Sequence, residues 1–79
     1  MRILGYDITL EVDGIETVVQ LDDTYPSIDD WKSASEFAVR LAQHEHPEAV
    51  SIDFVSCAEF EMEEYEEYGF IHEAPYKLQ

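Results

Sequence analysis

Residues 4–21 read LGYDITLEVDGIETVVQL, and the placement of two small polar residues inside that run decides the fold. Leu4, Tyr6, Ile8, Leu10 and Val12 alternate with Gly5, Asp7, Thr9 and Glu11, the period of two that marks a strand with one buried face. Asp13-Gly14 follows, a dipeptide suited to the positive φ values of a two-residue type I′ turn. Beyond it Ile15, Thr17, Val19 and Leu21 alternate with Glu16, Val18 and Gln20. Folding at Asp13-Gly14 sets Val12 against Ile15, Leu10 against Thr17, Ile8 against Val19 and Tyr6 against Leu21. All four pairs fall on one face, so turn and pattern specify the same register.

Outward from the hairpin, residues 22–26 read as a loop and Ser27 as a helix N-cap. Asp29 and Asp30 then occupy a first turn where carboxylates favour the positive end of the helix dipole. Trp31, Ala34, Phe37, Ala38 and Leu41 recur at helical spacing. The helix is predicted to stop near His44 to His46, because Pro47 disfavours helical geometry in the residue before it. A third strand is predicted after Pro47, with Val50, Ile52, Phe54, Ser56, Ala58 and Phe60 on one face and Ser51, Asp53, Val55, Cys57 and Glu59 on the other. The order ββαβ, with a right-handed crossover, puts this strand beside the first. The fold class is therefore α+β: a small three-stranded antiparallel sheet with one helix on its apolar face, and a short acidic C-terminal segment, helical or extended. A helical turn or two over Glu63 to Tyr68, ended by Gly69, is the favoured form. Phe70, Ile71 and Tyr76 are then expected to fold back over the apolar patch of Ile3, Val18 and Val55.

The 79 residues form one acidic domain, near the lower limit for a core without staples. Hydrophobic residues make up 46% of the chain, enough for a packed interior. Nineteen Asp and Glu against four Lys and Arg give a formal net charge of −15. Self-repulsion on that scale costs stability, and a working acidic surface is a reason to retain it. Direct binding to nucleic acid needs clustered cations, and an anionic membrane repels the same surface. The partner implied is a basic protein, foremost one that itself binds nucleic acid. One cysteine, Cys57, suits a reducing compartment. With no apolar run near ~20 residues and no signal-like start, the expected location is the cytoplasm. Like-charge repulsion favours a monomer.

Catalytic chemistry finds little support. His44 and His46 stand two apart, which turns their rings roughly 200° from each other on a helix, and no metal or other cofactor is expected. Cys57 has no cationic neighbour to stabilise a thiolate. Gly5, Gly14 and Gly69 stand too far apart for a phosphate loop. A domain this small offers little room for a ligand pocket of about 300 Å³. No enzymatic activity is expected.

The acids crowd the C-terminal third, where Glu59, Glu61, Glu63, Glu64, Glu66, Glu67 and Glu73 interleave with Tyr65, Tyr68 and Phe70. Tyrosines among charges supply rigid contact area and hydrogen bonds. The candidate partner-binding residues are Glu59, Glu61, Glu63, Glu64, Tyr65, Glu66, Glu67 and Tyr68, joined by Asp7, Glu11, Glu16 and Asp53 on the outer sheet face. Alternate carboxylates on a strand lie about 6.5–7 Å apart, comparable to successive phosphates of an extended nucleic-acid strand.

In size, charge and strand order the whole chain resembles the small phage-encoded anti-CRISPR proteins, especially those acting on the type I Cascade complex. The resemblance implies binding to a Cascade subunit in a bacterial host and a block on target-DNA recognition, with residues 59–67 and the sheet-face acids as contacts. An acidic immunity or antitoxin protein that neutralises a basic nuclease is the alternative reading of the same charge.

Overall fold

In the computed structural model, which describes residues 3–63 and 66–73, four strands and one helix follow in the order β1 (Ile3–Val12), β2 (Ile15–Asp22), α1 (Trp31–Glu45), β3 (Ile52–Glu63) and β4 (Glu66–Glu73). They form one antiparallel sheet in the order β2-β1-β3-β4. The hairpin register matches the sequence reading pair for pair, from Val12 opposite Ile15 to Tyr6 opposite Leu21. Asp13 (φ 50°) and Gly14 (φ 82°) take the left-handed conformations that a type I′ turn requires. The α+β class and the placement of β3 beside β1 also hold.

The core lies between α1 and one face of the sheet. Tyr6, Ile8 and Leu10 are fully buried there, with Val12, Leu21, Ile28 and Cys57. Burying side chains of this size stabilises the fold by about 1.5–3 kcal/mol each. The helix meets them through small residues, Ala34, Ser35, Ala38 and Ala42, which let it approach the strands closely. The larger members of the predicted stripe, Trp31, Phe37 and Leu41, flank that contact half-buried. Trp31 stacks obliquely on Phe54 at 6.4 Å and Phe37 on Tyr25 at 5.5 Å.

The helix begins later than the sequence reading placed it. Asp30, not Ser27, is the N-cap, and Asp29 and Asp30 precede the first turn. The Asp30 carboxylate accepts from the Ser33 amide at 2.8 Å, and the Asp30 amide donates to the Ser33 hydroxyl at 3.1 Å, closing a capping box. The intervening residues are used in a turn, in which the Ile28 amide bonds to the Tyr25 carbonyl at 3.0 Å and the Ile28 side chain enters the core. At the other end the helix stops at Glu45 with His46 as C-cap, as Pro47 foretold.

Two differences in the last third change which residues share a face. Thr9 pairs with Ser56 but Leu10 pairs with Phe54, so Val55 is an extra residue in β3, a β-bulge. Ile52 and Phe54 lie on the helix face as predicted. Past the bulge the alternation inverts: Cys57 is buried opposite Ile8, and Glu59 and Glu61 follow it on the helix face. Ser56, Ala58 and Phe60 consequently belong to the outer face, the reverse of a strand read without interruption. Val50 precedes the strand and is 94% exposed.

The second difference is β4. Residues 66–73 extend the sheet beside β3, with Glu59 opposite Phe70 and Phe60 opposite Gly69, in place of the helical turns favoured over Glu63 to Tyr68. Gly69 is a strand position, not a helix terminator. Phe70 and Ile71 therefore add to the sheet edge and do not fold back across its face, and Tyr76 lies outside the described residues. Val18 stays 52% exposed.

Candidate acidic interface

The outer face of the sheet, opposite α1, carries Asp7, Thr9 and Glu11 from β1, Glu16, Val18 and Gln20 from β2, and Asp53, Ser56, Ala58 and Phe60 from β3. Their assignment follows from the register and from the burial of their neighbours on the helix side. Glu11 is the cross-strand partner of Glu16 on one side and of Asp53 on the other. Three carboxylates thus stand in a row across adjacent strands, spanning about 10 Å at the usual strand spacing. Asp7 stands on the same face, four residues along β1, or about 13 Å away. Like charges directly opposite one another destabilise a sheet.

No Lys or Arg of the described residues relieves that row. Lys32 and Arg40 both belong to α1, on the other side of the sheet. Glu11, Glu16 and Asp53 are exposed and Asp7 is half-buried. Asp22, at the far end of β2, is held by the turn after it: its carboxylate accepts from the Thr24 amide at 3.0 Å and from the Thr24 hydroxyl. Those bonds hold its carboxyl below the usual range.

The predicted site residues do not form one patch. Asp7, Glu11, Glu16 and Asp53 come together on the outer face. The bulge sends Glu59 and Glu61 to the helix face, half-buried, opposite Tyr6 and Leu4. In β4, Glu67 pairs with Met62 and Tyr68 with Glu61, while Glu66 pairs with Glu63 across the β3–β4 connection. Glu64 and Tyr65 lie outside the described residues. The alternation of apolar residues located the outer-face set, whereas the C-terminal set was read from charge density and interleaved tyrosines.

With that geometry in place, comparison adds no relative. The chain matches no protein-family model, no curated protein and no solved structure.

Other side chains with chemical potential are occupied by packing. Cys57 is buried, and its thiol is pushed up to about 11, chiefly by burial and further by Glu59 and Asp7; a hydrogen bond with Ser35 pulls the other way. Tyr6 is pushed up to about 12, again chiefly by burial, with Glu59, Asp23 and Asp30 adding to it. His44 is exposed on the last turn of α1, and His46 caps it through its amide, which donates to the Ala42 carbonyl at 2.8 Å. Among the described residues no group of three or more His, Cys, Asp or Glu is placed to hold a metal ion. No helix among them is long and apolar enough to cross a membrane.

One acid has a structural role that the sequence reading missed. The Asp13 carboxylate accepts from the amides of Val50 and Ser51 at 2.9 and 3.0 Å, and its own amide donates to the Ser51 carbonyl at 2.9 Å. The hairpin tip is thereby fastened to the start of β3. An Asp before Gly signals the turn alone, and nothing local announces the second contact.

Proposed function

We propose that this chain is a binding protein, not an enzyme, and that its outer sheet face imitates the charge of nucleic acid toward a groove lined with Lys and Arg. The observation that carries the reading is the row Glu16–Glu11–Asp53, which is exposed and costs stability where it stands. A residue set that opposes folding is well explained by a partner that relieves it, in keeping with the trade between stability and function. A basic groove would supply the missing counter-charges, and the chain's −15 would steer the encounter.

Within that class the proposed target is a type I CRISPR Cascade complex in a bacterial cytoplasm, with the chain acting as an anti-CRISPR-type inhibitor that excludes target DNA by competition. The support is the combination of size and acidity with the ββαβ order of the elements up to β3. A mobility-shift competition tests it: purified Cascade is given labelled target DNA with and without the chain already bound. Loss of the shifted band, restored by a Glu11→Lys, Asp53→Lys variant that keeps its circular-dichroism spectrum, supports the reading. A shift unaffected by the wild-type chain rejects Cascade, and a basic nuclease becomes the next target to assay. A Glu63, Glu66, Glu67 charge reversal in parallel separates the outer face from the C-terminal acids.

A further inference from the structure

The sheet has an open margin at β2, and that margin is unusually uniform. β2 pairs with β1 through an unbroken register from Ile15 to Asp22 and, among the described residues, has no strand on its other side. In a two-residue hairpin the pair flanking the turn exchanges hydrogen bonds, and every second pair does so thereafter. Ile15, Thr17, Val19 and Leu21 are thus bonded to β1, while the amides and carbonyls of Glu16, Val18 and Gln20 face away from it. Among the described residues no backbone or side-chain group bonds to those outward positions. Natural sheets shield such margins with Pro, Lys, bulges or short strands. β2 has no Pro, Lys, Gly or bulge, and it is eight residues long.

From this margin we infer that β2 receives an extended, cationic segment of a protein partner as a fifth strand, adding backbone hydrogen bonds to the charge contacts of the outer face. The inference rests on the acidic-face reading above and specifies how the partner is held. Charge complementarity selects the occupant. Glu16 and Asp22 belong to β2 itself, and Glu11 lies one strand in, opposite Glu16. A strand alternating Lys or Arg with apolar residues would set its cations along the outer face, beside Glu16 and Asp22 and near Glu11. An aliphatic lysine stem would lie over Val18, which is 52% exposed, and the apolar residues would fall on the helix side beside Thr17 and Val19. A second copy of the chain, itself carrying −15, brings repulsion to the same margin.

The test is amide hydrogen exchange followed by NMR on the intact chain. The probe is a peptide of about nine residues alternating lysine and valine, long enough to span β2. Its control has the same lysines with every valine replaced by proline, which keeps the charge and removes strand geometry. The expected result is new protection at Glu16, Val18 and Gln20, with affinity about tenfold or more above the proline control. Val18→Pro, which deletes an outward amide and leaves the β1 bonds in place, should lose that advantage, whereas Val18→Thr should keep it. Should Val18→Pro fail to fold, the exchange pattern of the wild-type chain decides alone. Equal affinity for both peptides, with shifts at Asp7, Glu11 and Asp53 and no edge protection, overturns the fifth strand and leaves the acidic face standing. Edge protection insensitive to Glu11→Gln and Asp53→Asn, or matched by a threonine–valine peptide, overturns the cationic partner. Protection that appears with protein concentration alone assigns the margin to a second copy and overturns the inference.

Discussion

The ring of Phe60 lies against the backbone of Gly5, its cross-strand partner, so closely that a Cβ placed on Gly5 would stand 2.5 Å from Cε2. Gly5 is buried although it faces away from the helix, because the ring covers it. Gly5→Val should therefore displace Phe60 and destabilise the domain by about 1–3 kcal/mol. Denaturant unfolding measures this directly. A Phe60→Leu, Gly5→Val double variant should recover part of the loss, and full additivity of the two changes would speak against the contact.

Fastening by Asp13 has its own signature. Asp13→Ala removes the acceptor for two amides and places a Cβ-bearing residue of poor turn propensity at φ 50°. A loss of about 1–3 kcal/mol is expected. Asp13→Asn keeps an acceptor oxygen and tolerates the left-handed conformation, so its loss should be clearly smaller. Equal losses in a thermal melt would show that the turn conformation, not the bond to the β3 entry, is what matters.

The carboxylate row predicts opposite signs for stability and binding. Glu11→Gln relieves repulsion toward both Glu16 and Asp53 and should stabilise the free chain by about 0.3–1 kcal/mol. The same change should weaken binding to a basic partner, most visibly at low salt. A variant that loses stability contradicts the strain attributed to the row.

The Tyr6 hydroxyl is buried with no hydrogen-bond partner among the described residues. Tyr6→Phe removes a desolvated polar atom and leaves the ring in the core. It should be neutral or should stabilise by up to about 1 kcal/mol. A loss beyond 1 kcal/mol on chemical denaturation, on the scale of an ordinary buried hydrogen bond, would reveal a partner for the hydroxyl.

Alkaline pH should unfold the domain from within. Tyr6 goes from an ordinary value of 10.0 up to about 12, and Cys57 from 9.0 up to about 11. Both folded-state values lie above the unfolded ones, so as pH rises the unfolded chain releases protons that the folded chain retains. Their contribution is whole below pH 9 and is lost as pH rises through 11 to 12. The melting temperature should fall across that window, and less so in Tyr6→Phe. A flat profile there would contradict the burial of both groups.

The hairpin was legible in the sequence because two independent signals, apolar alternation and Asp13-Gly14, demanded the same register. The helix was legible from its stripe, but its start was not, since Ser27, Asp29 and Asp30 are all good caps and only the burial of Ile28 selects the last. The bulge at Val55 has no comparable local mark. Adjacent Phe54 and Val55 break strict alternation, and the burial preference of Cys57 hinted at inversion. Both were readable as minor exceptions to one strand. β4 was obscured by Gly69, whose meaning depends on whether Phe60 stands across from it. Of the candidate contacts, those inside the alternating hairpin were placed correctly on the outer face. Glu59 was not, since its face is decided by Val55, counted into the strand four positions earlier.

That extra residue gives β3 two reading frames. Up to Phe54 even-numbered residues belong to the interior, and from Cys57 onward odd-numbered ones do. Were Val55 taken into regular alternation instead of bulging, every residue after it would change face, exporting the cysteine and importing Phe60 and Ala58 beneath the strands. The negative charge carried by Glu59 and Glu61 would move with them to the outer face. The distribution of charge between the two sides of this sheet is thus set by parity, and whether one position is counted into the alternation or left out of it decides that distribution without altering any acidic residue.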